Sequence, residues 1–172
     1  FLEGFNPHNT RKIYQLLYIL ASNVPFIPNI SKLGAKTGIH RNTIVQYLHY
    51  LDKARLINVL SAAGKSISIL QKPDKIYLEN TNLHYALSSD NADKGNLRES
   101  FFLSQFINSG HRVSLPVRGG DFLIDEKYIF ETGGRGKSPV KIKNEKNAFI
   151  AADDIETGAF NKIPLWLFGF LY

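Results

Sequence analysis

The segment "NISKLGAKTGIHRNTIVQYLHYLDKARLI", residues 29–57, constrains the fold more than any other part of the chain. It contains two stretches with apolar residues three and four positions apart, separated by Gly38. This spacing predicts amphipathic helices, and glycine ends a helix at little cost because it tolerates a left-handed backbone. We therefore predict a short helix beginning at Ser31, a turn at Gly38, and a second helix opened by Arg41 or Asn42.

The flanking segments extend this pair of helices to a small domain. Upstream, apolar residues between Ile13 and Leu20 have helical spacing, and the prolines of "VPFIPN" end that helix. Downstream, "LINVLSAAGKSISIL" alternates as two short strands around Gly64, and Lys75–Leu78 and Thr81–Leu87 follow as a strand and a helix. Helices followed by a hairpin predict a winged helix-turn-helix domain over residues 1–89.

A different pattern begins after the polar segment "SSDNADKGN", residues 88–96. "LRESFFLSQFINSG" is predicted as a helix, and "HRVSLP", "GGDFLID", "KYIFETG" and "NAFIAADD" as strands. A tight turn is expected at Glu126. The chain is therefore predicted to be α+β, with a second, small α/β domain over residues 90–172.

The positive charge lies in the first of these domains. Residues 1–89 contain 10 Lys and Arg against 4 Asp and Glu, whereas residues 90–172 contain 11 of each, so the net charge of +6 belongs to the first half. A local excess of positive charge favours contact with phosphate, and duplex DNA is the expected partner. Many basic domains, however, carry such charge only for solubility.

Composition limits the compartment. The chain has no cysteine, which excludes disulfides and thiolate metal sites. No apolar run approaches the roughly 18 residues of a membrane span, so a cytoplasmic protein without a membrane partner is expected. The chain begins at Phe1 in a linker-like stretch, which predicts a fragment of a longer protein.

The second helix of the pair carries the candidate DNA-binding residues. If Ile44, Tyr47 and Leu48 face inward, the opposite face is polar and basic, as in a helix that lies in the major groove. Asn and Gln suit adenine edges, and Arg and Lys suit guanine or phosphate. The predicted DNA-binding residues are Arg41, Asn42, Thr43, Gln46, His49, Lys53, and Lys65 at the tip of the hairpin. The same surface also suits docking on a protein partner.

Three carboxylates in the second half form a candidate metal site. Asp121 and Glu131 lie on two strands joined by a tight turn, and Glu99 lies on the preceding helix. Clustered carboxylates hold Mg²⁺, which activates water and offsets charge in metal-dependent nucleases. Asp121 and Glu131 are the expected metal ligands. Alternatively, they are strand-end carboxylates paired with Arg118 or Lys127.

One part of that nuclease pattern is missing. A lysine normally stands two residues after the glutamate, but this chain has Gly133 there. Lys137 or Arg135 could replace it only if the loop folds back. Because poorly activated water reacts slowly, we expect a nuclease-like domain without activity, and an active metal-dependent nuclease is the alternative. Catalytic candidates are Glu99, Asp121, Glu131 and Lys137.

The segment around Lys137 also partly matches a phosphate-binding loop. Gly136, Lys137 and Ser138 match the end of G-x-x-x-x-G-K-[ST], but Glu131 stands where the first glycine is required. Pro139 also opposes the helix that such a loop opens. We interpret "GGRGKSPVKIKNEK" as a basic, mobile hairpin or loop rather than a nucleotide site.

The order of these segments resembles the carboxy-terminal part of a family of prokaryotic AAA-type ATPases. The resemblance covers nearly the whole chain, and "KPDKIYLENTNLHYAL", "LRESFFLSQF", "GGDFLIDEKYIFETGGRGK" and "IPLWLFGFLY" carry it together with residues 31–57. It implies a winged helix followed by a PD-(D/E)XK nuclease-like domain, with metal-binding potential at Asp121 and Glu131. It also implies an amino-terminal ATPase domain outside these residues, which would bind ATP and Mg²⁺ and act as a partner of this fragment.

Overall fold

The computed structural model describes residues 7–64, 73–87 and 93–172. These residues have a mixed α+β fold, as predicted, and divide into two compact units. Residues 7–59 and 73–87 belong to the first unit, and residues 60–64 and 93–172 belong to the second. The boundary predicted between residues 89 and 90 falls outside the described residues. No helix in the described part of the chain is long and apolar enough to cross a membrane.

The first unit consists of four helices and a two-stranded sheet. The helices are α1 (Pro7–Ala21), α2 (Ile30–Thr37), α3 (Arg41–Lys53) and α4 (Thr81–Leu87). The strands β1 (Ile57–Leu60) and β2 (Lys75–Leu78) pair with each other. Phe26 exchanges backbone hydrogen bonds with Ile76 of β2, 2.8 and 2.9 Å long. The loop before α2 is thereby tied to this sheet.

Local capping explains where α2 and α3 begin and end. The Oδ1 of Asn29 accepts a hydrogen bond from the amide of Lys32, so α2 begins at Ile30 rather than at the predicted Ser31. Gly38 ends it with φ 67°, the left-handed conformation that glycine adopts without steric cost. The Nδ1 of His40 accepts from the amide of Asn42, and α3 begins at Arg41.

The apolar faces of these elements form the core of the first unit. Ile44 and Leu48 of α3 and Leu16 of α1 are completely buried. Ile76 and Leu78 of β2 are equally enclosed. Burial of each such side chain contributes about 1.5–3 kcal/mol. The predicted inward face of α3 is therefore confirmed, and its polar residues lie on the opposite side.

The strand predicted after Gly64 lies in residues 65–72, outside the described residues, as does Lys65. Residues 61–63 belong to the second unit and pair with Leu115 of that unit instead. Ala63 donates its amide to the carbonyl oxygen of Leu115, and Leu115 donates to Ser61, both at 2.9 Å. In the described residues, β1 pairs with β2.

The second unit is a five-stranded sheet with one long helix. Helix α5 spans Lys94–Asn108. The strands are β3 (Val113–Ser114), β4 (Phe122–Ile124), β5 (Tyr128–Gly133), β6 (Ala148–Ala152) and β7 (Lys162–Pro164), in that spatial order. Strands β3, β4 and β5 pair antiparallel, whereas β5, β6 and β7 pair parallel. The predicted tight turn is confirmed, because Asp125 and Glu126 both have positive φ between β4 and β5.

Aromatic side chains attach α5 to this sheet. The ring of Phe102 lies 5.0–5.4 Å from the rings of Phe122 on β4 and Phe130 on β5, measured between centroids. Phe168 packs against the same ring at 4.9 Å, from a 3-10 helix over Leu165–Phe170. The helix is thereby held across β4, which directly follows Asp121, and β5, which carries Glu131.

Candidate functional sites

The exposed face of α3 is the first candidate site. Arg41, Asn42, Gln46 and Lys53 are exposed, as expected for residues that face away from the core. Thr43 is half-buried at the start of the same helix. The amide nitrogen of Gln46 donates to the hydroxyl of Tyr50 over 2.7 Å, so its orientation is set within the helix. This face therefore presents two cationic and two amide side chains to solvent.

His49 differs from its predicted outward placement. Its side chain is half-buried, and its Nδ1 is enclosed without a hydrogen bond to any described residue. Burial raises the pKa of the neighbouring Asp52, and the charge of His49 acts in the opposite direction. The imidazole ring of His49 is therefore less accessible to a ligand than the side chains of Asn42 and Gln46.

Glu131 is the centre of the second candidate site. Its side chain is 0% exposed, on β5. Its Oε1 lies 2.6 Å from the Nζ of Lys137 and 3.1 Å from the Nζ of Lys141. Its Oε2 accepts no hydrogen bond from the described residues. A buried carboxylate requires compensating charge, and two lysines supply it here.

Asp121 lies at the same end of the sheet. Its Oδ2 accepts hydrogen bonds from the amide and the hydroxyl of Thr132, at 2.8 and 3.0 Å. Phe122 pairs with Phe130, and the amide of Asp121 donates to the carbonyl oxygen of Phe130. This antiparallel register brings the two carboxylates predicted from the sequence to neighbouring positions.

Lys141 experiences the charge of all three predicted carboxylates. Its short contact with Glu131 and the negative charge of that residue raise the pKa of Lys141. Burial lowers the pKa of Lys141 by less than Glu131 raises it, and the charges of Asp121 and Glu99 raise it by still smaller amounts. Glu99 lies on α5, so helix and sheet both contribute charge to this site.

The loop after β5 brings the lysines to Glu131. The amide of Lys137 donates to the carbonyl oxygen of Gly134 at 2.9 Å, which folds residues 134–137 into a tight turn. The Nζ of Lys162 on β7 donates to the carbonyl oxygen of Arg135 at 3.0 Å. A 3-10 helix over Pro139–Ile142 follows, with Ile142 buried. The segment predicted as a mobile hairpin or loop is therefore folded against the sheet.

The space beside Gly133 is occupied by Lys137. A Cβ atom at Gly133 would lie 2.6–2.8 Å from three carbon atoms of the Lys137 side chain. Such distances are shorter than van der Waals contact, so no side chain fits at position 133 while Lys137 holds this conformation.

Of the two basic partners of Glu131, Lys137 is a candidate from the sequence and Lys141 is not. Arg118 and Lys127 were the alternatives, but Lys137 and Lys141 make the ion pairs. The Nζ of Lys127 lies over the ring of Tyr128 instead, 4.7 Å from its centroid. Lys141 was missed altogether. The sequence feature that could have identified Lys141 is its position four residues after Lys137, because Pro139 between them begins a helical turn.

In the described part of the chain, no group of three or more His, Asp or Glu side chains could together hold a metal ion. Asp121 and Glu131 remain as a pair of carboxylates, and the buried Oε2 of Glu131 has no hydrogen-bond donor. Mg²⁺ is commonly bound by one or two carboxylates and completes its shell with water and phosphate oxygens. The donor set therefore fits such an ion.

Comparison with known proteins finds one family. Residues 1–94 match the model of a family described as Domain of unknown function (DUF8612). No curated protein and no solved structure matches the chain. The match covers the first unit and leaves most of the second outside it.

Proposed function

We propose that this chain, which belongs to the DUF8612 family, binds duplex DNA through the exposed face of α3. In this proposal the first unit is a winged helix-turn-helix domain and the second a PD-(D/E)XK nuclease-like domain. Both would form the carboxy-terminal part of a AAA-type ATPase, whose ATP- and Mg²⁺-binding domain would be a further partner.

One observation carries the DNA-binding proposal. Arg41, Asn42, Gln46 and Lys53 are all exposed on α3, opposite a face that is entirely buried. A helix of 13 residues is about 20 Å long, which suits insertion into a major groove. The amides of Asn42 and Gln46 have the donors and acceptors that adenine edges require.

The ends of α3 suit phosphate contact. Free amide groups at a helix amino terminus attract anions, and Arg41 stands there. Lys53 stands one helix length away, in the last turn. Two cations separated in this way would contact the backbone on either side of the groove, while the residues between them face the bases.

Salt dependence of binding tests this proposal. Affinity for a fluorescent duplex of about 25 base pairs should fall steeply with salt, because each neutralised phosphate contributes about 0.9 to the slope of log K against log salt. The double variant Arg41→Ala/Lys53→Ala should bind more weakly, and its slope should be shallower by about 1.8. Lys127→Ala/Lys146→Ala removes the same charge from the second unit and is the matched control.

The protein-docking alternative predicts a different result. Negligible affinity for duplex DNA at low salt would refute the proposal. If the protein then bound the ATPase domain of its own full-length chain tightly, α3 would be a protein-docking surface.

A second candidate function is metal-dependent hydrolysis of a phosphodiester by the second unit. The observation that favours it is the 2.6 Å contact between Lys137 and Glu131, because it supplies the cation that Gly133 lacks. Asp121 and Glu131 would hold a Mg²⁺ ion, which when bound supplies activation of water and compensation of phosphate charge. The ammonium groups of Lys137 and Lys141 would position the anionic substrate beside these carboxylates.

Cleavage assays test the second candidate. Single-stranded and duplex DNA would be incubated with the protein and Mg²⁺ or Mn²⁺. Cleavage should disappear with a chelator and in Asp121→Ala. Lys143→Met, a change in the same basic segment at an exposed position, should leave it intact. Absence of cleavage by the wild-type protein with both metals would exclude this candidate and leave the DNA-binding proposal unaffected.

A further inference from the structure

We propose that Lys137 is the catalytic lysine of the second unit, with its side chain in the space that a side chain at position 133 would occupy. The proposal rests on the second candidate function above. It assigns the catalytic ammonium group to the loop after β5, because β5 itself has glycine at position 133.

The geometry of β5 locates that space. Side chains alternate along a strand, so positions 131 and 133 share one face. A lysine at position 133 would leave the strand beside Glu131. The Cβ, Cγ and Cδ atoms of Lys137 lie within 2.6–2.8 Å of the Cβ position at Gly133, and its Nζ reaches Glu131.

The conformation of Lys137 is held by its surroundings. The turn at residues 134–137 is closed by a backbone hydrogen bond, and Lys162 anchors the carbonyl oxygen of Arg135. The glycine at position 133 is required for this arrangement, because any side chain there overlaps the lysine. Gly133 and Lys137 therefore act together: the glycine leaves the space free, and the lysine from the loop places its ammonium group beside Glu131.

Exposure distinguishes the two lysines. The Lys137 side chain is 30% exposed, whereas that of Lys141 is 63% exposed. Lys137 therefore combines packed methylene groups with partial exposure of its side chain to solvent. A fixed ammonium group stabilises developing negative charge more effectively than a mobile one, since little reorganisation is needed during the reaction.

In the proposed reaction, Lys137 remains protonated throughout. Its N–H groups donate to the attacking water and to a non-bridging phosphate oxygen. The water oxygen forms a bond to phosphorus while the bond from phosphorus to the leaving sugar oxygen breaks. The water proton passes to solvent, and the leaving oxygen takes a proton from solvent, so no oxidant or reductant is needed.

A double-mutant cycle tests the shared space without any activity measurement. Gly133→Ala should lower the urea midpoint of unfolding in the wild-type background, because its methyl group meets Lys137. In a Lys137→Ala background the same change should lower it much less. Gly136→Ala is the control, since a Cβ there meets no atom within 4 Å. Equal effects of Gly133→Ala in both backgrounds would overturn the assigned geometry.

Rescue tests the catalytic role. Lys137→Met, and likewise Lys137→Ala, should reduce metal-dependent cleavage by about 100-fold or more, in the range that a preorganised hydrogen-bonding group contributes. Gly133→Lys/Lys137→Ala should recover at least about tenfold of that loss, because truncation at Cβ removes the Cγ and Cδ atoms that a side chain at position 133 would meet. Lys143→Met should remain within about twofold of the wild type.

The outcomes separate this inference from the function on which it rests. If the wild-type protein cleaves DNA and Lys137→Met cleaves equally well, the role of Lys137 is refuted while the nuclease function stands. If the wild-type protein cleaves no substrate with either metal, the catalytic role and the nuclease function fall together. In that case the double-mutant cycle still decides whether Lys137 fills the space at Gly133.

Discussion

The guanidinium group of Arg98 on α5 donates from Nε to the Oδ2 of Asp153, 2.9 Å away, just after β6. A second nitrogen donates to Asp154 at 3.2 Å. The side chain of Arg98 is only 16% exposed, and it packs beside Gly134 at the end of β5. This contact therefore fixes α5, and with it Glu99, relative to the strand end that carries Glu131.

Removing Arg98 should destabilise the protein. We expect Arg98→Ala to lower the free energy of unfolding by about 1–3 kcal/mol, because hydrogen bonds between charged groups contribute on this scale. Arg98→Lys keeps the charge but not the forked geometry, and should recover only part of the loss. Urea denaturation at pH 7 measures both, with Arg112→Ala as the control at an exposed arginine.

The ion pair between Arg98 and Asp153 makes the free energy of unfolding depend on pH. Burial raises the pKa of Asp153, but the hydrogen bonds from Arg98 and the amide of Asp154 outweigh it and lower the pKa overall. The folded state therefore holds the proton less tightly than the unfolded state. The resulting stabilisation is present above the unfolded pKa of 3.8 and is lost as pH falls through the lower folded value. Unchanged acid sensitivity in Arg98→Ala would contradict this assignment.

Gly119 is predicted to be essential to the geometry of the lysine site. Its φ is 60°, and a Cβ there would overlap the carbonyl oxygen of Lys141. We expect Gly119→Ala to cost more than about 2 kcal/mol, since left-handed backbone strain adds to a clash with main-chain atoms. Gly136→Ala is the matched control: its neighbourhood is open, and a small stabilisation of about 0.4–1 kcal/mol is expected.

Thermal and urea unfolding of both glycine variants provide the measurement. A Gly119→Ala protein as stable as the wild type would show that the 3-10 helix over Pro139–Ile142 can move away without cost. Lys141 would then be held less firmly beside Glu131 than the distances indicate.

The sequence predicted the pair Asp121 and Glu131 because local signals determine their placement. Alternation along two strands and a tight turn between them set the register, and both are properties of consecutive residues. The partners of Glu131 depend instead on how an irregular loop folds back onto the strand. No periodic pattern describes such a loop, so Lys137 remained conditional and Lys141 was not identified.

In the first unit, the buried and exposed faces of α3 were likewise predictable from local spacing. Its buried face follows from apolar spacing, and the exposure of Arg41, Asn42 and Gln46 follows with it. His49 lies at the edge of that face, where helical spacing alone does not decide burial, and neighbouring Asp52 and Tyr50 complete its surroundings. Pairing of residues 61–63 with Leu115 is a contact between distant segments, which short-range patterns do not reveal.

His84 should make the first unit sensitive to mild acid. Its side chain is 2% exposed on α4, and burial lowers its pKa from 6.5. Between the folded and unfolded pKa values the unfolded state binds more protons, so stability falls as pH decreases below about 6.5. The slope from one such group is at most about 1.4 kcal/mol per pH unit.

The measurement is the free energy of unfolding of wild type and His84→Gln at pH 7.5 and pH 5.5. The variant should lose stability at pH 7.5 because the buried site is repacked, but its further loss on acidification should be smaller than that of the wild type. Parallel losses in the two proteins would show that His84 does not control this transition.

In the second candidate function, Lys141 should compete with the divalent cation at the carboxylates. Its ammonium group lies 3.1 Å from the Oε1 of Glu131, on a side chain that is largely exposed and can move away. A cation approaching Asp121 and Glu131 would meet the repulsion of that charge at short range, where it is strong. Removing the charge without shortening the chain, in Lys141→Met, should therefore strengthen binding of Mn²⁺.

Calorimetric titration with Mn²⁺ at pH 7 would measure this effect, and about a tenfold gain in affinity corresponds to 1.4 kcal/mol. Lys143→Met lowers the net charge equally, from an exposed position two residues away, and should change the affinity less than twofold. Glu131→Gln should abolish binding in either background. Equal affinities in wild type and Lys141→Met would mean that the ammonium group lies outside the path of the ion, because a charge adjacent to a bound cation cannot be removed without consequence.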